Sequence, residues 1–314
     1  MKLVVQIPCF NEQDTILEVL KNIPKKIKGI DEIKIFLIDD GSFDKTSQIA
    51  KDFGVDKIIR FNKNRGLSFA FMEGVKASLA QKADILVNID GDNQYDSSYI
   101  EKLIEPIIQK RADMTIGVRP IKNIKTFSPF KKFLQKFGSI IVKLVSGIDI
   151  KDAASGFRAF SFDALLKLNV FNSFTYTIET IIQAKYKNLI IENVPIGVNI
   201  QKNRKSKLFK NNVDYIFKQA KNLIRFFIIY RPCRFFAIIG SILLFLGSIL
   251  GFRFLYFYFN SDGQGHIQSL ILCAIILTLA FICYMLAVVG DLFSINRKIL
   301  EDIQLELRQK KYKK

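Results

Sequence analysis

The chain of 314 residues has few of the side chains from which many catalytic and metal sites are built. It contains one histidine, His266, and four cysteines, Cys9, Cys233, Cys273 and Cys283, none of which forms a CxxC pair. Two of the cysteines lie in long apolar runs, so we expect reduced thiols in a cytosolic or membrane setting and no disulfide framework. A histidine general base could come from one position only.

Other features are also missing from the sequence. Met1 and Lys2 lead directly into a strand-like run, Leu3–Ile7, so we expect no N-terminal signal peptide. The chain has no internal repeat beyond alternating strand and helix patterns, and no nucleic-acid-binding motif. Because 49% of the residues are hydrophobic, a disordered chain is excluded, and the length suits one large domain or two modest ones.

Acidic residues are scarce relative to basic ones. Lysine and arginine number 47 against 29 aspartates and glutamates, which gives a formal charge of +18. Such a surplus predicts anionic partners, namely nucleic acid, anionic lipid or phosphorylated substrates. Much of the surplus lies beside the apolar C-terminal segments, and we therefore expect membrane lipids as partners and no nucleic acid.

Two long apolar runs occupy the C-terminal third. Residues 235–252 carry no charge and would span roughly 27 Å as a helix, close to the hydrocarbon thickness of a bilayer. A second run, residues 270–289, follows a polar loop that contains His266. We expect a two-helix transmembrane hairpin, and a buried core hairpin is the alternative. Because basic residues flank its outer ends and not the loop, both termini are predicted in the cytosol, in a multi-pass protein of the plasma (inner) membrane.

The segment before the hairpin, residues 211–230, has basic residues on one side and apolar residues elsewhere. This pattern predicts an interfacial amphipathic helix, although an ordinary core helix has the same pattern. The predicted division of the chain is a cytosolic domain at 1–210, the interfacial helix at 211–232, the transmembrane hairpin at 233–290 and a cytosolic charged helix at 291–314.

Residues 1 to about 118 alternate between strand and helix patterns, which predicts an open α/β sheet with flanking helices. The strand runs are apolar on both faces, as in a parallel sheet covered on both sides. The predicted strands are Lys2–Ile7, Ile33–Asp39, Lys57–Phe61, Ile85–Asp90 and Asp113–Val118, with another at Leu189–Val198. The predicted helices are Glu12–Lys26, Lys45–Phe53, Leu67–Ala80 and Ser97–Gln109. Polar clusters follow the strands, at the edge where such sheets bind ligands.

One of these clusters, Asp90-Gly91-Asp92, crowds carboxylates at the end of a strand. In extended backbone, residues two apart point to the same side, so both carboxylates can share one hard cation such as Mg²⁺ or Mn²⁺. Gly91 lacks a Cβ and lets a ligand approach the backbone. A substrate diphosphate would complete the coordination shell. Helix capping is the alternative role of strand-end aspartates, and Asp96 or Ser97 is a candidate cap.

Two further clusters have both a binding and a capping interpretation. At the end of the second predicted strand, the carboxylate of Asp40 can accept from a base or a ribose, while Asp44 is a candidate helix cap. At the end of the first strand, Phe10 can stack on a base and Glu12 can bind a ribose. The alternative is a simple strand-to-helix turn with Asn11 as the cap.

Taken together, these segments resemble the family 2 glycosyltransferases. The motifs occur in the order and spacing of that family: IPCFNEQDTI, IDDGSFDKT, NRGLSFAFMEGV, NIDGDNQYD, IGVR and DAASGFRAFS. The C-terminal features YTIETIIQA, VPI and NRKSKL, with the interfacial helix and the hairpin, are similar to the polyprenyl-phosphate branch. That branch includes dolichol-phosphate mannose synthases and bacterial undecaprenyl-phosphate glucosyltransferases. The resemblance covers essentially the whole chain and implies a GT-A-like, mostly parallel sheet.

The resemblance also implies roles for individual residues. The donor nucleotide-sugar site would comprise Pro8, Phe10, Glu12, Asp40, Asp90, Gly91, Asp92, Gln94, Arg119, Arg204 and Lys207. Within that set the metal ligands for Mg²⁺ or Mn²⁺ would be Asp90, Asp92 and Gln94, and the catalytic group would be Asp90, Asp92, Arg119 and Arg204. The basic loop is compressed and lacks the glycine usual in the family, so the choice among Arg204, Lys205 and Lys207 stays open.

The implied activity is inverting transfer of a hexose from a UDP- or GDP-linked sugar to a polyprenyl phosphate, either undecaprenyl or dolichyl phosphate. A lipid phosphate is already an anion near pH 7 and can attack without a general base. Ser155, Arg158 and Lys132 are the candidate acceptor-binding residues, although a structural turn is the alternative role of the segment DAASGFR. The same resemblance implies a homo-oligomer, with a tetramer as one form.

Two other functions remain open from the sequence. Transfer to a hydroxyl of a lipid-linked glycan or polymer would require a base such as Glu179 or Asp152. His266 lies in the predicted external loop, on the wrong side of the membrane for that role. A non-enzymatic lipid-phosphate transporter or nucleotide-sensing anchor is the remaining alternative.

Overall fold

The strand β1 (Lys2–Cys9) is buried from Leu3 onward, as its largely apolar sequence predicts. In this computed structural model it lies inside the sheet, parallel to both neighbours, β2 (Glu32–Asp39) and β4 (Ile85–Asn88). β3 (Lys57–Arg60) pairs in parallel with the other edge of β2. The residues that the structure describes are 1–120, 147–170, 176–199, 221, 224–225, 227–260 and 267–312.

The far half of the sheet contains one reversed strand. β6 (Arg158–Ser161) runs antiparallel to β4 and to β5 (Met114–Val118), and β7 (Ile191–Pro195) pairs in parallel with β5. Across the described residues the order is β3-β2-β1-β4-β6-β5-β7. The prediction of an open, mostly parallel sheet is confirmed. β6 was not predicted because a four-residue strand has too little apolar pattern to distinguish it from the turn before it.

Helices cover both faces of this sheet. They are α1 (Ile16–Lys21), α2 (Thr46–Phe53), α3 (Leu67–Ala80), α4 (Ile100–Ile108), α5 (Phe162–Lys167) and α6 (Thr177–Tyr186), and a short 3₁₀ helix, Ser97–Tyr99, precedes α4. One core layer joins the sheet to α3, α5 and α6, and the other joins it to α1, α2 and α4. Alternate strand residues enter opposite layers, with Val4 in the first and Leu3 in the second.

The predicted helix boundaries hold best where the apolar pattern is longest. Leu67–Ala80 is a helix with the predicted ends, whereas the predicted helix Glu12–Lys26 shortens to Ile16–Lys21. Asn11 is not a helix cap, because Thr15 precedes α1 and the Asn11 Oδ1 accepts a hydrogen bond from the backbone N–H of Phe43.

The C-terminal apolar runs form two long helices, α7 (Pro232–Asn260) and α8 (Ile267–Tyr312). Small residues line their contact: Gly240 and Gly247 on α7, and Cys273, Ala280 and Ala287 at seven-residue intervals on α8. A Cβ at Gly240 would lie 3.3 Å from the carbonyl oxygen of Ala280, so the two backbones approach closely.

The outer faces of both helices are apolar and exposed. In the most apolar stretch of α7 only 11% of residues are buried, and in that of α8 only 17%. A core hairpin would bury most of these side chains, so the exposure favours a membrane-spanning hairpin. Most of the predicted interfacial helix, including residues 211–220, lies outside the described residues, as does His266.

The chain forms two compact units, one of Met1–Ser206 with Leu305–Lys314 and one of Lys207–Gln304. The last turns of α8 therefore belong to the first unit. Leu305 and Tyr312 pack against the core layer that contains α5. Arg308 Nη1 donates to the carbonyl oxygens of Leu166 (3.1 Å) and Leu168 (2.7 Å), at the C-terminus of α5. A cation there binds carbonyl groups that have no partner within the helix.

We expect Arg308→Met to destabilise the first unit by about 1–2 kcal/mol, because two carbonyl groups lose a charged donor. The measurement is the thermal midpoint of the full chain in detergent, which should fall by a few degrees. Lys310→Met removes a charge from an exposed position on the same helix and serves as the matched control. Equal midpoints for both variants would contradict the docking role of Arg308.

Candidate active site

The candidate site lies where the order of the strands changes direction. β1 has β2 and then β3 on one side, and β4 on the other. In open α/β sheets such a switch point leaves a crevice at the carboxyl ends of the strands, where ligands bind. The segment Phe10–Glu12 follows β1 and the segment Asp90–Asp92 follows β4 at this crevice.

Asp90 and Asp92 are crowded, as their spacing predicts. Oδ1 of Asp90 is buried and accepts no hydrogen bond within the described residues. Burial, followed by the charge of Asp92, raises the pKa of Asp90 to about 7. Arg119 and Arg158 oppose this rise. Asp92 Oδ1 accepts from the backbone N–H of Gln94 at 3.0 Å, which folds the loop over itself.

Gly91 joins this loop to the first helix. Its carbonyl oxygen accepts from Thr15 Oγ1 at 2.8 Å, and the same hydroxyl lies 3.2 Å from Glu12 Oε2. A Cβ at Gly91 would lie 3.0 Å from the Cβ of Cys9. Close packing against β1 therefore requires the glycine, in addition to the predicted access for a ligand. Burial, with nearby acidic residues, raises the pKa of Cys9, so this thiol is unreactive.

Arg119 forms a buried ion pair beside the crevice. Its Nε and Nη2 donate to the two carboxylate oxygens of Asp152 at 2.7 and 2.9 Å, and both side chains are at most 5% exposed. Nη1 lies 3.5 Å from Gln94 Oε1. Burial lowers the pKa of Arg119, but Tyr95 and Asp152 raise it by more, so the guanidinium stays charged. The structure thus brings together Arg119 and Gln94, two residues of the predicted donor site, and their roles there stay predictions.

Gly156 is held by three buried side chains from different parts of the chain. Its N–H donates to the hydroxyl of Tyr95 at 2.9 Å. Its carbonyl oxygen accepts from Asn88 Nδ2 at 2.9 Å and from the hydroxyl of Tyr176 at 3.0 Å. A Cβ at this position would lie 2.5 Å from Oδ2 of Asp90. The backbone of Gly156 therefore packs directly against the Asp90 carboxylate and limits the positions that this carboxylate can take.

Arg158, a predicted acceptor-binding residue, donates its hydrogen bonds within the protein. Its guanidinium is fully buried and donates to the carbonyl oxygens of Ala153, Ser155 and Thr177 and to Thr180 Oγ1. Burial lowers the pKa of Arg158 to about 10. Direct contact with an acceptor would require these bonds to break, so Arg158 positions the turn before β6 in this structure, and its contact with an acceptor stays a prediction. Ser155 is also fully buried.

The predicted nucleoside residues lie at the ends of β1 and β2. Pro8 is buried within β1, opposite Ile38, and Phe10 is partly exposed. Both carboxylate oxygens of Asp40 accept backbone N–H groups, from Arg65 at 2.7 Å and Gly66 at 2.9 Å. Burial raises the pKa of Asp40. Asp40 therefore anchors the loop after β3, and its contact with a base or ribose stays a prediction.

Both carboxylates suggested as general bases are engaged. Asp152 is paired with Arg119 through two hydrogen bonds. Glu179 is 2% exposed in α6 and accepts from Gln183 Nε2 at 3.3 Å. The predicted residues Lys132, Arg204 and Lys207 lie outside the described residues.

Several residues of the site were not predicted. Tyr95, Asn88 and Tyr176 hold Gly156, and Asn199 ties the loop after β4 to the segment after β7 by donating to Asn93 Oδ1 at 2.9 Å. Asn88 carried a signal, since it is the polar residue of an otherwise apolar strand. Of the two candidate caps, Asp96 and Ser97, the structure has Asp96 as the cap of the 3₁₀ helix, with its carboxylate accepting from the N–H of Ser98 at 2.9 Å.

The donor set suits a divalent metal that substrate phosphates help to bind. Within the part of the chain that the structure describes, histidine, cysteine and carboxylate side chains do not converge in groups of three or more. Asp90 and Asp92 offer two carboxylates, and no described residue donates a hydrogen bond to Oδ1 of Asp90. Mg²⁺ characteristically uses one or two carboxylates together with phosphate oxygens, so these residues fit it.

Comparison with known proteins identifies the class. The model of glycosyl transferase family 2 matches residues 4–168, which is about half of the chain. The chain belongs to glycosyl transferase family 2.

Similar sequences and structures agree with this assignment. Dolichol-phosphate mannosyltransferase of Pyrococcus furiosus is 33% identical over 217 residues, covering 66% of this chain and 59% of that protein. A UDP-N-acetylglucosamine–dolichyl-phosphate N-acetylglucosaminyltransferase of Methanococcus voltae is 32% identical over 60% of this chain and 82% of that one. Glucosyl-3-phosphoglycerate synthase of Mycobacterium tuberculosis, crystallised with Mn²⁺ and uridine diphosphate, has a TM-score of 0.55 at 19% identity, over 71% of this chain and 77% of that one. The structural likeness supports a shared GT-A fold.

We expect Gly156→Ala to reduce glycosyl transfer by about 10²-fold, because the added Cβ would displace the Asp90 carboxylate. Ala154→Ser, at an exposed position in the same turn, is the matched control and should keep its activity. The measurement is the initial rate beside the thermal midpoint of each variant. A Gly156→Ala protein with full activity would show that the position of Asp90 does not matter.

Proposed function

We propose that the protein is a metal-dependent, inverting glycosyltransferase that moves a hexose from a UDP- or GDP-linked sugar to a polyprenyl phosphate. Support comes from the relatives, which are named as dolichyl-phosphate or dolichol-phosphate sugar transferases. Undecaprenyl-phosphate mannosyltransferase of Micrococcus luteus is another relative, at 26% identity. The apolar helices α7 and α8 would hold the protein at the membrane where such a lipid resides.

The observation that carries this proposal is the engagement of both candidate bases. Asp152 forms an ion pair with Arg119, and Glu179 is buried within α6. An alcohol acceptor needs a base to remove its proton, whereas a phosphate monoester is already ionised near neutral pH. The arrangement therefore supports an anionic acceptor more than a hydroxyl of a lipid-linked glycan.

The residues of the site would act by positioning and by charge. Arg119 would contribute positive charge where two phosphate groups approach each other, and its bond to Asp152 fixes its direction. Asp90 and Asp92, with Gln94, would hold Mg²⁺ or Mn²⁺, which supplies neutralising charge for the leaving diphosphate when bound. Arg204 or Lys207 would cover the diphosphate from the basic loop.

The reaction would be a single displacement at the anomeric carbon. An oxygen of the lipid phosphate attacks this carbon as its bond to the diphosphate breaks, and the electron pair of that bond leaves with the nucleoside diphosphate. No proton transfer is required. An α-linked donor would therefore give a β-linked polyprenyl-phosphate sugar.

The cellular setting belongs to the same proposal. We place both termini and the first unit in the cytosol, with α7 and α8 crossing the plasma (inner) membrane, because basic residues flank the outer ends of the two helices. A homo-oligomer, such as a tetramer, is proposed from the resemblance to the polyprenyl-phosphate branch.

We expect purified protein with Mn²⁺ to transfer radiolabel from one nucleotide sugar to polyprenyl phosphate, and not to the matched polyprenyl alcohol. Asp92→Asn and chelation with EDTA should each reduce the rate by at least about 10²-fold, since the first weakens the binding of the metal whose charge neutralises the diphosphate and the second removes that metal. Label entering the organic phase is the measurement. Transfer to an alcohol or glycan acceptor alone would favour the lipid-linked glycan function.

A second test concerns stereochemistry. With an α-linked donor, the lipid product should be β-linked, because a single displacement inverts the anomeric carbon. The measurement is the anomeric coupling constant of the product by NMR. An α-linked product would require two displacements, and hence a protein nucleophile that the proposal does not contain.

A further inference from the structure

Phe43 is an aromatic side chain that the fold leaves in solvent. It is 86% exposed, whereas the next most exposed aromatic residue described within residues 1–199, Phe53, is 36% exposed. Burying a phenylalanine is worth roughly 1.5–3 kcal/mol, but single exposed apolar residues are common on protein surfaces, so any use of Phe43 has to be argued from its position.

The backbone that carries Phe43 is firmly held. Its N–H donates to Oδ1 of Asn11 at 2.9 Å, and the N–H of Asn11 donates to Oγ of Ser42 at 2.9 Å. Arg60 Nη2 donates to the carbonyl oxygen of Ser42 at 2.7 Å. Asn11 adopts φ 55°, a left-handed conformation that asparagine tolerates. A mobile loop tip would not have these bonds, so the ring is presented from a fixed position.

The position of Phe43 is the carboxyl edge of the sheet, directly beyond β2. The adjacent strand β1 is followed by Phe10, and the ring centroids of Phe10 and Phe43 are 6.2 Å apart at an interplanar angle of 75°. Two aromatic rings therefore follow neighbouring strands, with Phe10 at the crevice that holds Asp90 and Phe43 one strand further from it. A nucleotide whose diphosphate lies at the crevice would extend its base along this edge.

The surroundings of Phe43 are polar, which argues against a lipid contact. Asp44 Oδ2 accepts from the N–H of Gln13 at 3.1 Å, and Gln13 Oε1 accepts from the N–H of Lys45 at 3.2 Å, all at exposed positions. A single ring among such groups forms no apolar patch for a bilayer. A flat heterocycle with polar edges suits both the ring and its neighbours.

We propose that Phe43 is a binding residue for the donor nucleobase, stacking on the base beside Phe10 at the rim of the site. This inference rests on the proposed function. It adds a second aromatic residue that contacts the base and does not contact the sugar.

The test is isothermal titration of the full chain in detergent, with Mn²⁺ and three probes: UDP, GDP and ribose 5-diphosphate, which has no base. For Phe43→Ser we expect the dissociation constant of the preferred nucleotide to rise on the order of 10-fold, the range of base–aromatic stacking. Ribose 5-diphosphate should bind the variant and the wild type equally. Phe43→Tyr keeps the ring and should restore nucleotide binding.

Phe53→Ser is the matched control, since it removes another exposed phenylalanine of the same unit, and its nucleotide affinity should not change. Unchanged nucleotide affinity in Phe43→Ser would overturn the inference. An equal loss of affinity for ribose 5-diphosphate would also overturn it. So would a variant whose only change is a higher half-saturation concentration of polyprenyl phosphate. If the wild type bound neither UDP nor GDP, both the inference and the proposed function would fail. If the wild type bound a nucleotide and Phe43→Ser bound it equally well, only the inference would fail.

Discussion

The electrostatic balance around Asp90 is the constraint on which the rest of the site depends. Among the described residues, one oxygen of Asp90 has no hydrogen-bond partner, Asp92 repels its charge, and the nearby cations Arg119 and Arg158 oppose this repulsion. Both cations are buried, and a buried guanidinium is tolerated only when its donors are satisfied. Asp152 satisfies one, and backbone carbonyls satisfy the other. The conformations of the surrounding turns therefore depend on supplying hydrogen-bond partners to buried charges, as well as on the packing of apolar groups.

Much of this architecture follows from local patterns in the sequence. Strand runs that are apolar on both faces predicted the parallel sheet. Both ends of the helix Leu67–Ala80 were predicted, because a long apolar pattern defines a helix better than a short one does. The pair Asp90 and Asp92 was noticed from its spacing at the carboxyl end of a predicted strand, and the resemblance to family 2 glycosyltransferases implied its role as a metal site. The predictions of strands and helices need only the chemistry of neighbouring residues.

The features that were missed depend on contacts between distant parts of the chain. The polar groups of Gly156 are bound by side chains 61, 68 and 20 residues away, and a sequence gives no signal for such pairs. Arg158 matched an acceptor motif, yet its burial turns the guanidinium toward the protein's own carbonyl groups. The exposure of Phe43 likewise depends on the hydrogen bond between its backbone and Asn11, 32 residues earlier.

The docking of Arg308 sets an order of events during synthesis. Leu305 and Tyr312 pack against a core whose other members lie before residue 192, and both lie near the end of α8, beyond the two apolar runs. They are translated after both runs, so residues 1–206 of the first unit are made long before these contacts can form. The first unit would therefore gain these contacts only once the hairpin has been made, and a chain truncated before residue 305 would keep its active-site residues but lack the segment that packs against the core layer containing α5.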